Sequence, residues 1–269
     1  MNGKENRETL VEVSGLKVMF GDRLVLENVN LDVRRGDILG IVGVSGSGKS
    51  VLIKAIIGLI KPDAGSVRVF GEDLAAIEPL RILKLQRRWG VVFQEGGLFS
   101  SITMGDNIRR VIEEHVRLPE HLITQIVELK VSMVGLPREA RAQIPEELSG
   151  GMRKKAALAR ALALDPKILF LDALTADVDP LAAASLDELI LELHHVLGIT
   201  VVLVTHDLDT VHAICNRVAV LAENRIVATG SLDAVANGDH PFIRAFFHGP
   251  RGRAAARQKR AAEPKASSN

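Results

Sequence analysis

Residues 43–50 read Gly-Val-Ser-Gly-Ser-Gly-Lys-Ser, directly after the apolar run Ile38–Val42. This segment fits the pattern G-x-x-x-x-G-K-S, in which glycines let backbone N–H groups close around phosphates. A strand before the loop and a helix over Ser50–Leu59 after it give the order that such a loop needs. The sequence therefore predicts a phosphate-binding loop rather than a plain glycine turn.

Each residue of this loop is a candidate nucleotide contact. Lys49 would reach the β- and γ-phosphates, and the Ser50 hydroxyl would ligate Mg²⁺. The helix N-terminus that follows adds positive potential. The predicted ATP contacts are Gly43, Val44, Ser45, Gly46, Ser47, Gly48, Lys49 and Ser50.

A second motif supplies a metal carboxylate. Ile168–Leu171 is a short apolar run followed at once by Asp172. In parallel α/β sheets, ligands lie at the C-terminal ends of the strands. Asp172 is therefore expected to share a Mg²⁺ ion with Ser50.

The rest of the chain alternates between strand and helix patterns, which predicts an α/β fold with a mostly parallel sheet covered on both faces. Residues 80–141 are mainly helical and indicate a helical insertion, apart from the apolar run Val91–Phe93. The other predicted strands are 10–18, 24–33, 66–70, 200–205 and two near 217–228; the other predicted helices are 152–164, 181–197 and 208–215.

Composition limits the class of protein. The 269 residues carry a net charge of +1, so the molecule is not built to bind a polyanion, and no nucleic-acid partner is expected. The single cysteine fits a reducing compartment. No apolar run approaches the roughly 20 residues that span a bilayer. Residues 249–269 carry six Lys or Arg and one Glu, which predicts a flexible basic tail, or one that contacts a partner or anionic lipid.

These elements together resemble the nucleotide-binding subunit of ABC transporters over about residues 10–248. The resemblance implies a cassette with an antiparallel β subdomain and a helical subdomain, placed about 80–148. It assigns Phe20 to adenine stacking and Gln94 to the metal and the membrane partner. It also assigns Asp179 to the D-loop and His206 to the γ-phosphate. Lys49, Gln94, Asp172 and His206 thus form the expected catalytic set, and Ser50, Gln94 and Asp172 the metal set.

The segment Leu148-Ser149-Gly150-Gly151-Met152 would by itself be an ordinary capped helix start. The resemblance gives it a different role. It implies a head-to-tail dimer, expected to be a homodimer, in which Ser149, Gly150 and Gly151 close on the ATP of the other chain.

A narrower resemblance is to the MlaF-type subgroup, which works with an integral-membrane permease and an MCE-domain protein to move phospholipids or other hydrophobic compounds. It rests on the Q-loop segment, which is Phe93–Ser101, with Asp106-Asn107-Ile108, and on Met152 closing the glycine signature Leu148–Met152. It implies a peripheral protein at the cytoplasmic face of the inner membrane of Gram-negative bacteria. Small-solute importers share much of this pattern and remain an alternative, as does an ATP-gated module that clamps without turnover. A soluble ABC protein of translation or DNA repair would be expected to carry two cassettes or a coiled-coil insertion.

Two adjacent positions depart from the family pattern. Asp-Glu-Pro is expected after the buried strand, whereas this chain has Asp172-Ala173-Leu174. A methyl group cannot orient or deprotonate the attacking water. Either the chain is a weakened ATPase, or it pairs with a competent second subunit, or Glu95 or Asp177 substitutes for the missing glutamate. We expect ATP binding to persist and hydrolysis to be slow.

Overall fold

The computed structural model describes residues 8–249, and strands and helices follow each other in the alternation that the sequence predicts. The strands are β1 (Thr9–Phe20), β2 (Arg23–Arg34), β3 (Ile38–Val42), β4 (Ala64–Val69), β5 (Glu72–Asp73), β6 (Trp89–Val92), β7 (Ile168–Asp172), β8 (Thr200–Val204), β9 (Arg217–Ala222) and β10 (Arg225–Gly230). The helices are α1 (Lys49–Ile56), α2 (Pro79–Gln86), α3 (Met104–His115), α4 (Glu120–Met133), α5 (Gly150–Ala161), α6 (Pro180–Leu197), α7 (Leu208–Ile214), α8 (Leu232–Ala236) and α9 (Pro241–His248), with 3₁₀ turns at Arg138–Ala142 and Pro145–Glu147.

The strands form two sheets. The larger one has the order β10-β9-β3-β8-β7-β6, and all its neighbours are parallel except β10 against β9. The smaller one is antiparallel, with the order β2-β1-β4-β5. The predicted fold class, a mostly parallel core sheet with an antiparallel β part and a helical part, is confirmed.

The core sheet separates two hydrophobic clusters, and its strands contribute alternate residues to each. In β7, Ile168 and Phe170 pack with the antiparallel sheet and α1, whereas Leu169 and Leu171 pack with the later helices. Side chains of a strand point alternately to opposite faces, so a sheet covered on both sides needs apolar residues at every position. This is why β3, β7 and β8 are buried along their whole length.

The parallel register places the functional strand ends together. Asp172 at the end of β7 lies opposite Val204 of β8, and Val204 lies opposite Ile41 of β3. The loops that follow β3, β7 and β8 therefore leave one edge of the sheet. That edge carries the residues singled out in the sequence.

A few elements differ from expectation. Helix α5 begins at Gly150, two residues before the predicted start, because the Ser149 hydroxyl accepts a hydrogen bond from the Met152 N–H (3.3 Å). Helix α8, with five residues, is too short for a clear helical period, and neither it nor α9 was predicted. The predicted tail falls almost wholly outside the described residues, which end at Gly249. Within residues 8–249, no helix combines the length and apolarity needed to cross a bilayer.

Candidate nucleotide site

The phosphate loop owes its shape to glycines at positions that other residues would strain. Gly46 and Gly48 have φ values of +78° and +98°, a region that glycine adopts without steric cost. Gly48 directly precedes α1. At Gly43 the constraint is space, since a Cβ there would lie 2.2 Å from the Leu221 carbonyl oxygen. The loop must therefore run close against β9.

The Lys49 ammonium lies inside the curve of this loop. It donates hydrogen bonds to the carbonyl oxygens of Gly43 (2.9 Å) and Val44 (2.8 Å). Burial lowers the pKa of Lys49, and the charge of Asp172 opposes that effect. A partly desolvated cation within a glycine-rich loop at a helix N-terminus is suited to bind phosphate oxygens.

Two of the three expected metal ligands, Ser50 and Asp172, are already in contact. The Ser50 hydroxyl donates a hydrogen bond of 2.9 Å to Asp172 Oδ1, and Asp172 is only 5% exposed. A hydroxyl and a carboxylate beside a phosphate loop match the oxygen ligands that Mg²⁺ prefers. The donor set therefore fits Mg²⁺, and phosphate oxygens and water would supply the other ligands.

Ala173, where the family carries its water-activating glutamate, has a left-handed backbone with φ +52°. Its N–H donates to the Val204 carbonyl oxygen (3.0 Å), which ties the turn to β8. Proline at 174 would bias the preceding residue toward extended backbone, so the buried Leu174 is compatible with this conformation. The departure thus replaces two side chains in a turn whose first residue has a left-handed backbone.

Glu95 and Asp177 are the two candidates to substitute for the missing glutamate. Glu95 is exposed, one residue after Gln94. Asp177 interacts electrostatically with Lys154, where it opposes the lowering of the lysine pKa by burial. The Lys154 ammonium in turn donates to the Gln94 carbonyl oxygen (2.6 Å). Asp177 therefore faces a cation beside the Q-loop, and its substitution for a glutamate at 173 stays a hypothesis.

Helix α5 anchors the Q-loop through two basic residues that sequence reasoning missed. Besides the Lys154 bond, the Arg160 guanidinium donates to the Gly97 carbonyl oxygen and lies 5.2 Å from the Phe99 ring centre. Burial lowers the pKa of Arg160. No local signal marks these two residues, because they lie six positions apart on the helix and their acceptors are backbone carbonyl oxygens.

Asn107 holds the segment that follows. It is fully buried, its Oδ1 accepts from the Phe99 N–H (2.8 Å), and its Nδ2 donates to the carbonyl oxygens of Phe99 (3.1 Å) and Thr103 (3.0 Å). The side-chain amide therefore provides hydrogen-bond partners for backbone N–H and carbonyl groups on both sides of a turn. Phe99 is thereby presented with half of its surface exposed.

The remaining candidates lie at element boundaries. Asp179 caps α6 by accepting from the N–H groups of Leu181 and Ala182. A Cβ on Gly151 would lie 3.3 Å from Ala182 Cβ, so the signature glycines pack beside the D-loop helix. His206 is exposed in the loop after β8, and Phe20 is exposed at the end of β1. Their assigned roles stay predictions.

Comparison with known families agrees with this architecture. Residues 26–176 match the ABC transporter family. The chain belongs to that family and is the ATP-binding subunit of an ABC transporter, of the kind that dimerises and works with a permease.

Among curated relatives, the chain is 37% identical over 242 residues to the intermembrane phospholipid transport system ATP-binding protein MlaF of Haemophilus influenzae, covering 90% of this chain and 91% of that protein. It is 38% identical to MlaF of Escherichia coli K12, covering 89% of each. It is also 34% identical to a probable ribonucleotide transport ATP-binding protein, mkl, of Mycobacterium leprae, covering 93% of this chain and 72% of that protein.

Solved structures agree. A dimeric ATP-binding cassette, MJ0796, bound to ADP and Pi, superposes with a TM-score of 0.76 at 28% identity, covering 82% of this chain and 98% of that one. The CbiO1 subunit of a Clostridium perfringens ABC transporter complex gives 0.77 at 27% identity, covering 94% and 99%.

Proposed function

We propose that this chain powers a transporter of phospholipids or other hydrophobic compounds, acting through a separate permease and an MCE-domain protein. The observation that carries the proposal is its identity of 37–38% to two MlaF proteins over about nine tenths of the chain. The Q-loop segment, fixed by Asn107 and α5 with Phe99 exposed, supplies a surface for the permease. The working location is the cytoplasmic face of the inner membrane.

In this proposal Mg-ATP is held at the sheet edge. Lys49 and the backbone N–H groups of the phosphate loop bind the phosphates, while Ser50 and Asp172 hold Mg²⁺ with Gln94 nearby. Phe20 stacks on the adenine, and His206 contacts the γ-phosphate. An identical subunit closes on the nucleotide with Ser149, Gly150 and Gly151, next to Asp179.

Turnover is the step in which this chain departs from its family. Without a carboxylate at 173, no group at that position can take a proton from the attacking water. The groups that bind phosphate and metal are in place, so we propose tight ATP binding and ATP-driven closure with slow hydrolysis. A second subunit that carries the glutamate would restore turnover in a heterodimer.

One observation favours a different cargo. The mkl relatives are described as probable ribonucleotide transport proteins, so a polar solute is the alternative to lipid. An ATP-gated clamp without transport is the third candidate, and Ala173 favours it.

Capture of partners from membranes separates these candidates. The tagged full chain would be incubated with detergent-solubilised membranes and Mg-ATP, and bound proteins identified by mass spectrometry. A permease with an MCE-domain protein supports the lipid proposal, a permease with a soluble solute-binding protein supports the alternative, and no membrane protein supports the clamp.

A pair of surface variants tests whether the Q-loop segment contacts the permease. Phe99 is 52% exposed beside the Q-loop, and Leu129 is 55% exposed on α4. Phe99→Ser is expected to abolish permease capture, whereas Leu129→Ser should leave it intact. Equal capture by the two variants would refute the assignment of this surface.

A further inference from the structure

A buried hydrogen bond joins α6, the helix that follows the D-loop residue Asp179, to α7, the helix that follows His206. The Thr210 hydroxyl on α7 donates to Asp187 Oδ2 on α6 at 2.9 Å. Both residues are buried, with 7% of Asp187 and 2% of Thr210 exposed. The two helices are therefore linked at a polar point inside an otherwise apolar contact.

This link is costly for the fold. Among residues 8–249, no hydrogen-bond donor reaches the buried Oδ1 of Asp187. Burial raises the pKa of Asp187 to about 7, the Thr210 bond opposes the rise, and the charges of Asp207 and Asp209 add to it. A buried carboxylate close to other carboxylates lowers the stability of the fold, so stability does not explain why Asp187 is there. Ionisable groups whose pKa is strongly shifted in this way occur more often at functional sites than elsewhere.

The link ends beside His206. Asp207 caps α7 by accepting from the Asp209 N–H (2.9 Å), and its own N–H donates to the Thr205 hydroxyl (2.9 Å). Thr210 lies one turn further along α7 and also approaches Asp207 Oδ2 (3.4 Å). The first turn of α7 and the loop carrying His206 therefore form one hydrogen-bonded unit, which Thr210 ties to Asp187.

The other end of the link reaches the D-loop. Helix α6 begins at Asp179, its N-cap, and Asp187 lies eight residues later, about two turns or 12 Å along the helix axis. A helix transmits displacement as a rigid element. A shift of Asp179 would thus be passed to the loop of His206 through the packed contact between α6 and α7, of which this hydrogen bond is a part.

We propose that Asp187 is a positioning residue that, through Thr210, holds the His206 loop in register with the D-loop helix. The inference rests on the proposed function, in which His206 contacts the γ-phosphate. It assigns Asp187 no contact with nucleotide. Its effect is to set how strongly His206 distinguishes ATP from ADP.

The test measures the dissociation constants of Mg-ATP and Mg-ADP for the full chain and compares their ratio between variants. Thr210→Val keeps the shape of the side chain and removes its donor, and we expect a loss of ATP preference of about tenfold, the size of a modest coupling energy. Asp187→Ala should act alike. Asp187→Asn keeps the acceptor for Thr210 and should retain the preference. Glu188→Gln changes an exposed charge on the same helix and should have no effect.

Two further comparisons make the result decisive. In a His206→Ala background, Thr210→Val should cause no further loss of ATP preference, because Thr210 acts only through His206. Additive losses, or an equal loss in Glu188→Gln, would overturn the inference while leaving the effect of His206→Ala and the proposed function intact. If the unaltered chain shows no preference for ATP and His206→Ala changes nothing, the γ-phosphate role fails, and the inference fails with it. Thermal melts by circular dichroism show whether each variant is folded, and if Asp187→Ala does not fold, Thr210→Val still removes the hydrogen bond and Asp187→Asn still serves as its control.

Discussion

Replacing Ala173 with glutamate tests the central chemical claim about this chain, that nucleotide binding is complete and water activation is missing. Ala173 is half-buried at the end of β7, directly after Asp172, the proposed metal ligand. Its φ of +52° already costs about 1 kcal/mol for any residue with a Cβ. Because alanine bears that cost too, Ala173→Glu should change stability little.

The expected gain in rate follows from general-base catalysis. A positioned base contributes about 10²–10⁴ in rate, which is about 3–5 kcal/mol of the barrier. The left-handed backbone at 173 directs the new side chain differently from an extended one, so we expect a gain near the lower end, about a hundredfold. ATP affinity should stay unchanged, since the phosphate and metal groups are untouched.

The assay is phosphate release from the full chain at saturating Mg-ATP, with Lys49→Ala measured alongside to subtract contaminating ATPase. The matched control is Ala173→Gln, which has nearly the shape of glutamate but cannot accept the proton. We expect the Gln variant to remain within a few-fold of the unaltered chain. Equal rates for the unaltered chain, Ala173→Glu and Ala173→Gln, with ATP bound in all three, would refute the argument.

Three further predictions concern the loop, the Q-loop segment and pH. Gly43→Ala should abolish Mg-ATP binding in a nucleotide-binding titration, because the new Cβ would lie 2.2 Å from a backbone carbonyl oxygen of β9. Gly46→Ala is the control: its Cβ would face open space, so the substitution should cost only about 1 kcal/mol of backbone strain. Asn107→Ala should lower the free energy of unfolding in urea by about 2–3 kcal/mol, because buried backbone groups lose their partners, and should weaken permease capture; an unchanged urea midpoint would contradict this. Because the pKa of Asp187 is about 7 in the folded chain against 3.8 for a free aspartate, the folded state holds an extra proton between these values, and stability should fall as pH rises from about 4 through 7, by up to about 4 kcal/mol. Asp187→Asn should lose that part of the pH dependence, and identical stability profiles for the two proteins would show that the carboxyl is not perturbed.

Much of the site could be predicted because its motifs are local. The phosphate loop needs glycines at left-handed positions and a lysine next to them, and all of these lie within eight residues. The pairing of Ser50 with Asp172 could also be expected, although the residues are 122 positions apart, because strand ends in a parallel sheet share one edge. Short helices such as α8 left too little periodicity to be recognised.

The residues missed by sequence reasoning act across large separations without a motif. Lys154 and Arg160 bond to Q-loop carbonyls about 60 positions away, and carbonyl oxygens carry no sequence information. The contact between Asp187 and Thr210 depends on how α6 crosses α7, which periodicity does not specify. A buried aspartate within an apolar helical pattern is the one signal that could have been followed.

The sequence by itself determined the ligand, the family and the missing glutamate, because each depends on residue types at short fixed spacings. Only the tertiary structure decided that Ala173 adopts a left-handed backbone, that Asn107 and α5 shape the Q-loop segment, and that Asp187 ties the D-loop helix to the loop of His206. The physical reason is that backbone conformation at a turn and polar contacts between helices result from the packing of the whole core, to which every element contributes. Local chemistry specifies what the site can bind, and packing specifies how its parts move together.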